Sequence, residues 1–162
     1  MEYVGKQNIK KLCNFYVSDL HLSVMLLPYI SKQINEDVEI TTIFEKLEKN
    51  DMEAILDKIN VKNKNEILNI NWLENNEKIY KRTEDAIKKS IKDNKKVTII
   101  VGGDKNYISK NNSNIMKILN ENNKKENVKI INCYNIEETG LDMKEIVKSY
   151  DGILNTSGEI KV

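Results

Sequence analysis

One proline, one histidine and two cysteines in 162 residues close off several chemistries at once. Cys13 and Cys133 stand alone and His21 has no companion, so neither a CxxC pair nor a zinc-ligand spacing can be written. No metal and no cofactor are expected. Long apolar runs are missing too: the longest, Leu22 to Ile30, is interrupted by Ser23 and Pro28 and falls short of the roughly 20 residues that span a bilayer. The amino terminus, MEYVGKQNIKK, lacks the apolar core of a signal peptide. These absences predict a cytoplasmic chain with no membrane partner, whose two thiols stay reduced. Nor is there an excess of one charge. Lys and Arg (26) balance Asp and Glu (25), interspersed, for a net charge of +1. Without a basic stripe to track a phosphate backbone, direct nucleic-acid binding is not expected.

What is present is an alternation of period-2 and period-3.6 segments, repeated five times. That is the pattern of βα units and of a mostly parallel sheet with helices on both faces. The expected class is a three-layer α/β fold with five or six strands, in one domain spanning residues 1–162. Strands are expected at Lys11 to Val17, Val38 to Phe44, Ile67 to Trp72, Val97 to Val101 and Val128 to Tyr134. Ser18 reads as the N-cap of a helix that runs to about Asn35 and contains Pro28. Further helices are placed around Asp51 to Asn60, Glu77 to Asp93 and Ser113 to Glu121, and at Met143 to Tyr150, ended by Gly152. In the helix from Glu77 to Asp93, Ile79, Thr83, Ile87 and Ile91 mark a narrow apolar seam. A closing hairpin is expected, with its turn at Ser157-Gly158.

In such a sheet the ligand crevice forms beyond the carboxyl ends of the strands. The residues to interrogate are therefore Tyr16, Ser18, Asp19 and His21; Glu45; Asn71, Trp72 and Glu74; Gly102 to Asn106; and Tyr134, Asn135 and Glu137. They make a mixed polar and aromatic rim suited to a small-molecule pocket, and they would equally serve as caps and turn formers. The sharpest local feature is VTIIVGGDKNYI, a buried strand that runs into two glycines. Small residues there let a backbone approach phosphate oxygens. Yet neither GxxxxGK[ST] nor GxGxxG is present, and Asp104 would repel a phosphate. A phospho-accepting receiver domain is excluded on two counts: the expected third strand ends in Asn69-Ile70-Asn71-Trp72, with no acceptor aspartate, and the fifth ends in Cys133-Tyr134-Asn135, with no lysine. His21 and Ser23 are two apart on a helix and do not face one another, so no nucleophilic dyad forms. Cys13 and Cys133 lie inside strands as small apolar residues.

Three segments, in order, carry a resemblance. KLCNFYVSDLHLSVMLLPYISKQI, with Cys13, Tyr16, Asp19, Leu27, Pro28 and Tyr29, resembles the opening of the MEDS family, sensory domains named for methanogens, methylotrophs and the dichloromethane dehalogenase repressor. IIVGGDKNYI matches that family's strand, glycine-acid step and aromatic at Gly103, Asp104 and Tyr107. NCYNIEETGLDMKEIVKSYDGILNTSGEI is similar to its closing strand, helix and return strand through Cys133 and Tyr134. Two departures stand out: Lys11 replaces the family's first histidine, and Ser149-Tyr150 replaces its His-Pro step.

The resemblance implies a RecA-like or KaiC-like core without a working nucleotide site. Such a domain acts as a non-catalytic sensor at the head of a histidine kinase or transcription regulator and binds a small organic ligand. Tyr16, Asp19, His21, Trp72, Gly102, Gly103, Asp104, Tyr107 and Tyr134 are then the candidate ligand-binding residues. The expected partners are the ligand and an output module beyond Val162, with a homodimer as a further arrangement. Two alternatives remain open: a phosphate- or nucleotide-binding enzyme built on Gly102, Gly103 and Lys105, and a pure interaction module whose apolar first helix packs on a partner.

Overall fold

The computed structural model describes residues 9–47, 49–70, 78–137 and 141–161. Strand β1 (Ile9–Tyr16) leads to helix α1 (Asp19–Asn35) and β2 (Glu39–Phe44). Two short helices, α2 (Lys49–Leu56) and α3 (Lys64–Leu68), precede α4 (Ile79–Lys92) and β3 (Val97–Gly103). Then come α5 (Lys105–Glu121), β4 (Val128–Asn135), α6 (Met143–Val147) and a terminal hairpin of β5 (Gly152–Asn155) and β6 (Gly158–Lys161).

The strands form one sheet in the order β2-β3-β4-β1-β5-β6, parallel except for the last pair. The three-layer α/β architecture follows from how its strands are buried. All seven residues of β3 are buried, as a central parallel strand covered on both faces requires. Along β1 the side chains alternate. Leu12 and Tyr16 join a core with α1, α2 and α3, while Cys13 and Phe15 face a second core with α4, α5 and α6. Leu22, Leu26, Leu27 and Ile30 of α1 are fully buried in the first, each contributing about 1.5–3 kcal/mol. Asn14, also fully buried, donates from Nδ2 to the Leu154 carbonyl at 3.2 Å and so ties β1 to β5.

Helix boundaries have local causes. Ser18 Oγ accepts from the His21 amide at the start of α1, which then continues through Pro28 to Asn35. At the other ends Asp37, Asn94 and Asn123 take positive φ just beyond α1, α4 and α5. The amides of Val38, Lys95 and Lys124 reach back to Gln33, Ser90 and Leu119. These are Schellman closures with Asp or Asn where glycine is usual. Part of the chain's asparagine content therefore has a conformational use.

Two expectations about elements are corrected. The stretch from Ile67 is not a strand: Lys64–Leu68 is helical, and Ile67 is buried against α1 and α2 as a helical side chain. Leu68, Ile70 and Trp72 alternate as a strand would, whereas Ile67 and Ile70 are three apart as on one helix face, and the burial of Ile67 decides. Asn69 and Ile70 follow as a turn and a bend, and the last two residues of that expected strand, Asn71 and Trp72, lie outside the described residues. Gly152 opens β5 rather than closing a helix, and an added Cβ there would sit 2.6 Å from the Ile160 carbonyl oxygen. The third strand in chain order thus ends at Gly103, immediately before Asp104, so a missing aspartate no longer excludes a receiver domain. Topology does: receivers follow the order 2-1-3-4-5, and here β1 lies between β4 and β5.

Candidate functional site

Crevices open in an α/β sheet where neighbouring strands send their helices to opposite faces. That happens here between β2 and β3 and between β4 and β1. At the first, Gly102 lies under Phe44, whose ring atoms would be 2.5 Å from an added Cβ. Gly103 is pressed between the Tyr107 ring and Glu45, 2.9 and 3.0 Å from its own hypothetical Cβ. Close approach of side chains, and not of a phosphate, accounts for both glycines.

Asp104 alone joins β3 to α5. As N-cap, its Oδ1 accepts from the Tyr107 amide at 2.7 Å, so the helix end where an anion would sit already holds a carboxylate. At the second crevice only Val17 and Ser18 join β1 to α1, too short a link for a phosphate-wrapping loop. Its polar groups are spent locally: the Val17 amide donates to His21 Nδ1 at 3.1 Å, and Asn135 Oδ1 accepts from the Glu137 amide. Tyr16 is buried there, which pushes its hydroxyl pKa well above the usual range, with Cys133, Asp19, Glu45 and Asp104 adding to the rise. The edge is acidic around Tyr16 and ill suited to phosphate.

The expected rim comes from separate turns that share one sheet edge, close enough for Glu45 and Asp104 to act on Tyr16. Tyr16, Asp19 and His21 belong to the β1–α1 turn; Gly102, Gly103, Asp104 and Tyr107 form the β3–α5 turn. Tyr134 lies on the α5 and α6 side, stacked on Phe15 with centroids 5.8 Å apart. Its hydroxyl is 2.6 Å from that of Tyr150, which also accepts from Asn132 Nδ2.

Tyr107 leads to a feature that the sequence reading missed, a cavity of about 280 Å³ between α4 and α5. Ile43, Ile79, Ile115 and Ile118 supply its apolar lining, with Tyr80, Tyr107, Lys110 and Asn114 beside them. Two further lining residues, Thr83 and Asn111, are polar and only 2% and 8% exposed. Thr83 Oγ1 donates to the Ile79 carbonyl, and Asn111 Nδ2 to the Tyr107 carbonyl, each at 2.9 Å. The Tyr107 hydroxyl is buried without a hydrogen-bond partner among the described residues, and its pKa is raised first by that burial and then by Glu45. A partly open pocket of mixed apolar and polar lining is a form that small-molecule sites take. The signal was available: Thr83 and Asn111 each interrupt an apolar helix seam, Ile79–Ile87 on α4 and Ile108–Ile115 on α5.

Among the described residues no three His, Cys, Asp or Glu side chains are grouped so as to hold a metal ion, and no helix is long and apolar enough to cross a membrane. No family model and no curated protein matches the chain.

Proposed function

We propose that the chain is a cytoplasmic sensory domain of the MEDS kind. It is non-catalytic in itself, binds a small organic ligand, and passes a conformational signal to an output module such as a histidine kinase or transcription regulator. The observation that carries this reading is the α4–α5 cavity, whose wall includes Tyr107 in the first turn of α5, just after the Gly103-Asp104 turn. Strand β1 between β4 and β5, with helices on both faces, supports the RecA-like core that the resemblance implies.

The coupling follows from how Tyr107 is placed. Its ring is part of the cavity wall and packs against Gly103, while its amide is fixed by Asp104. A ligand that repositions the ring therefore bears on the turn at the end of β3. Signalling is a population shift between two arrangements of that turn and of α4, driven by the ligand's preference for one of them. The exposed apolar side chains Val17, Leu20 and Leu20's neighbour one turn on, Val24, support partner contact through α1.

The competing enzyme reading is weakened by the self-capped α5 and by the two-residue β1–α1 link. Differential scanning fluorimetry tests the choice. Stabilisation by small organic compounds, with none from nucleotides plus magnesium, is expected; stabilisation by millimolar nucleotide alone overturns the sensor reading.

A further inference from the structure

Helix α1 buries most of its surface, and what it leaves exposed is patterned. Its exposed residues are Asp19, Leu20, Val24, Pro28, Lys32 and Asn35. Four of them, Leu20, Val24, Pro28 and Lys32, are spaced by four and form one ridge along the outer face of the helix. Leu20 is 54% exposed and Val24 42%, and Val17, 46% exposed, continues the apolar surface just before the helix. Exposed apolar side chains scattered singly are ordinary, whereas a contiguous ridge of them marks a contact. The charges at its two ends say what makes that contact. Asp19 stands in the first turn of α1 and Lys32 in the last, about 20 Å apart along the axis. Neither has an ion-pair partner among the described residues.

We infer that α1 is the interface of a homodimer, in which the Leu20-Val24-Pro28 ridge packs on the same ridge of a second copy, the two helices antiparallel about a twofold axis near residues 24–28. Ridges of residues four apart interdigitate at a crossing angle of roughly 50°. A twofold contact is self-complementary: Val24 of each copy lies against Pro28 of the other, and Leu20 lies beside the aliphatic stem of Lys32. The charges then match, because Asp19 of each copy falls near Lys32 of the other, once at either end. A parallel pairing sets Asp19 near Asp19 and Lys32 near Lys32, and like charges reject it. The dimer gives the partner contact through α1 an identity and rests on that part of the sensory reading. Ligand binding at the α4–α5 cavity, on the opposite face of the sheet, is independent of it. One helix ridge is a small interface, so the dissociation constant is expected on the order of 10–100 µM.

Sedimentation velocity on the full chain, over a micromolar to millimolar concentration series, tests this, with circular dichroism confirming the fold of every variant. Val24→Lys puts two lysines at the centre of the contact, at a position already exposed, and should weaken the dimer by more than about tenfold. Asp19→Lys and Lys32→Asp each oppose like charges at both ends and should weaken it about tenfold. Mixed in equal amounts, these two variants recover opposite charges at both ends and should pair with each other better than either pairs with itself; the double variant Asp19→Lys/Lys32→Asp should recover the dimer in one chain. A chain that stays monomeric at millimolar concentration, a dimer indifferent to Val24→Lys, or single variants that pair no better mixed than alone overturns the proposal. Fluorimetry with small organic compounds on the same samples separates the two readings. A monomer that such compounds stabilise overturns the dimer and leaves the sensory reading standing, whereas a dimer broken by Val24→Lys that none of them stabilises upholds the dimer and removes the ligand.

Discussion

Replacing Tyr107 by phenylalanine is expected to stabilise the protein. Its hydroxyl is buried without a partner, whereas its ring is packed against Gly103 and lines the α4–α5 cavity. Removing the oxygen leaves the packing and deletes a desolvated polar group whose unmatched burial costs about 1–3 kcal/mol. Taking the lower part of that range, the gain is about 1–2 kcal/mol, or roughly 3–6 °C in Tm for a chain of this size. Tyr150→Phe is the control of opposite sign. That hydroxyl accepts from Asn132 Nδ2 and bonds the Tyr134 hydroxyl, both at 2.6 Å. Its loss strands the buried Asn132 amide and should cost about 1–3 kcal/mol. Calorimetric melts at pH 7, with urea m-values to show that the unfolded states are comparable, measure both. A Tyr107→Phe variant that melts at or below the wild type with an unchanged m-value would refute the reasoning, because the hydroxyl would then be matched.

Gly102→Ala should destabilise by about 1–3 kcal/mol by overpacking, because the new methyl meets the fully buried Phe44 ring; Phe44→Leu in the same chain should recover part of the loss in urea denaturation. The terminal hairpin should loosen in acid. Burial alone would raise the Glu159 carboxyl, but hydrogen bonds from Lys129 and Lys10, with Lys129's charge and the Tyr29 hydroxyl, hold it down at about 2. A depressed carboxyl contributes stability that is present above its unfolded value and lost as pH falls from about 4.5 towards 2. The Tm advantage of wild type over Glu159→Gln should therefore be full at neutral pH and shrink through that window; a difference that stays constant would refute the assignment. Burial raises the Cys13 thiol to about 11 and that of Cys133 further still, so neither should react with a disulfide reagent at pH 8 until the chain is unfolded.

Much of the fold was legible because burial writes itself into period. Val97 to Val101 lacks the polar alternation of a half-exposed strand, and it proved to be central. Ser18 announced α1 by its capping chemistry, and the structure bears this out. The failures have equally local causes. Leu68, Ile70 and Trp72 alternate as a strand would while Ile67 and Ile70 are spaced as on a helix face, and the long-range contacts with α1 and α2 settle the turn as helical. The start of α5 was placed too late because LysAsnTyr carries no apolar stripe; the helix begins there because Asp104 caps it, a signal read only as a charge hostile to phosphate.

The site was legible in a different way, through polar residues where an apolar one would have served. Strand ends were searched because ligands gather there, and the structure finds many of those polar groups occupied with their own backbone. They cap turns, as short polar side chains do wherever a strand must hand over to a helix in one or two residues. Thr83 and Asn111 are different in kind. Each sits in the buried seam of its helix, at a position where valine or leucine would avoid the cost of desolvating an oxygen. A single such residue is readily explained by a bond to its own helix, which both make. Two on neighbouring helices, lining one pocket, are not explained by helix stability alone. Their convergence is a property of tertiary structure, since residues 83 and 111 belong to helices separated in sequence by a whole strand. No linear motif records it, and the proximity of Tyr107 to the Gly103 turn was the only part of the site that adjacent residues could reveal.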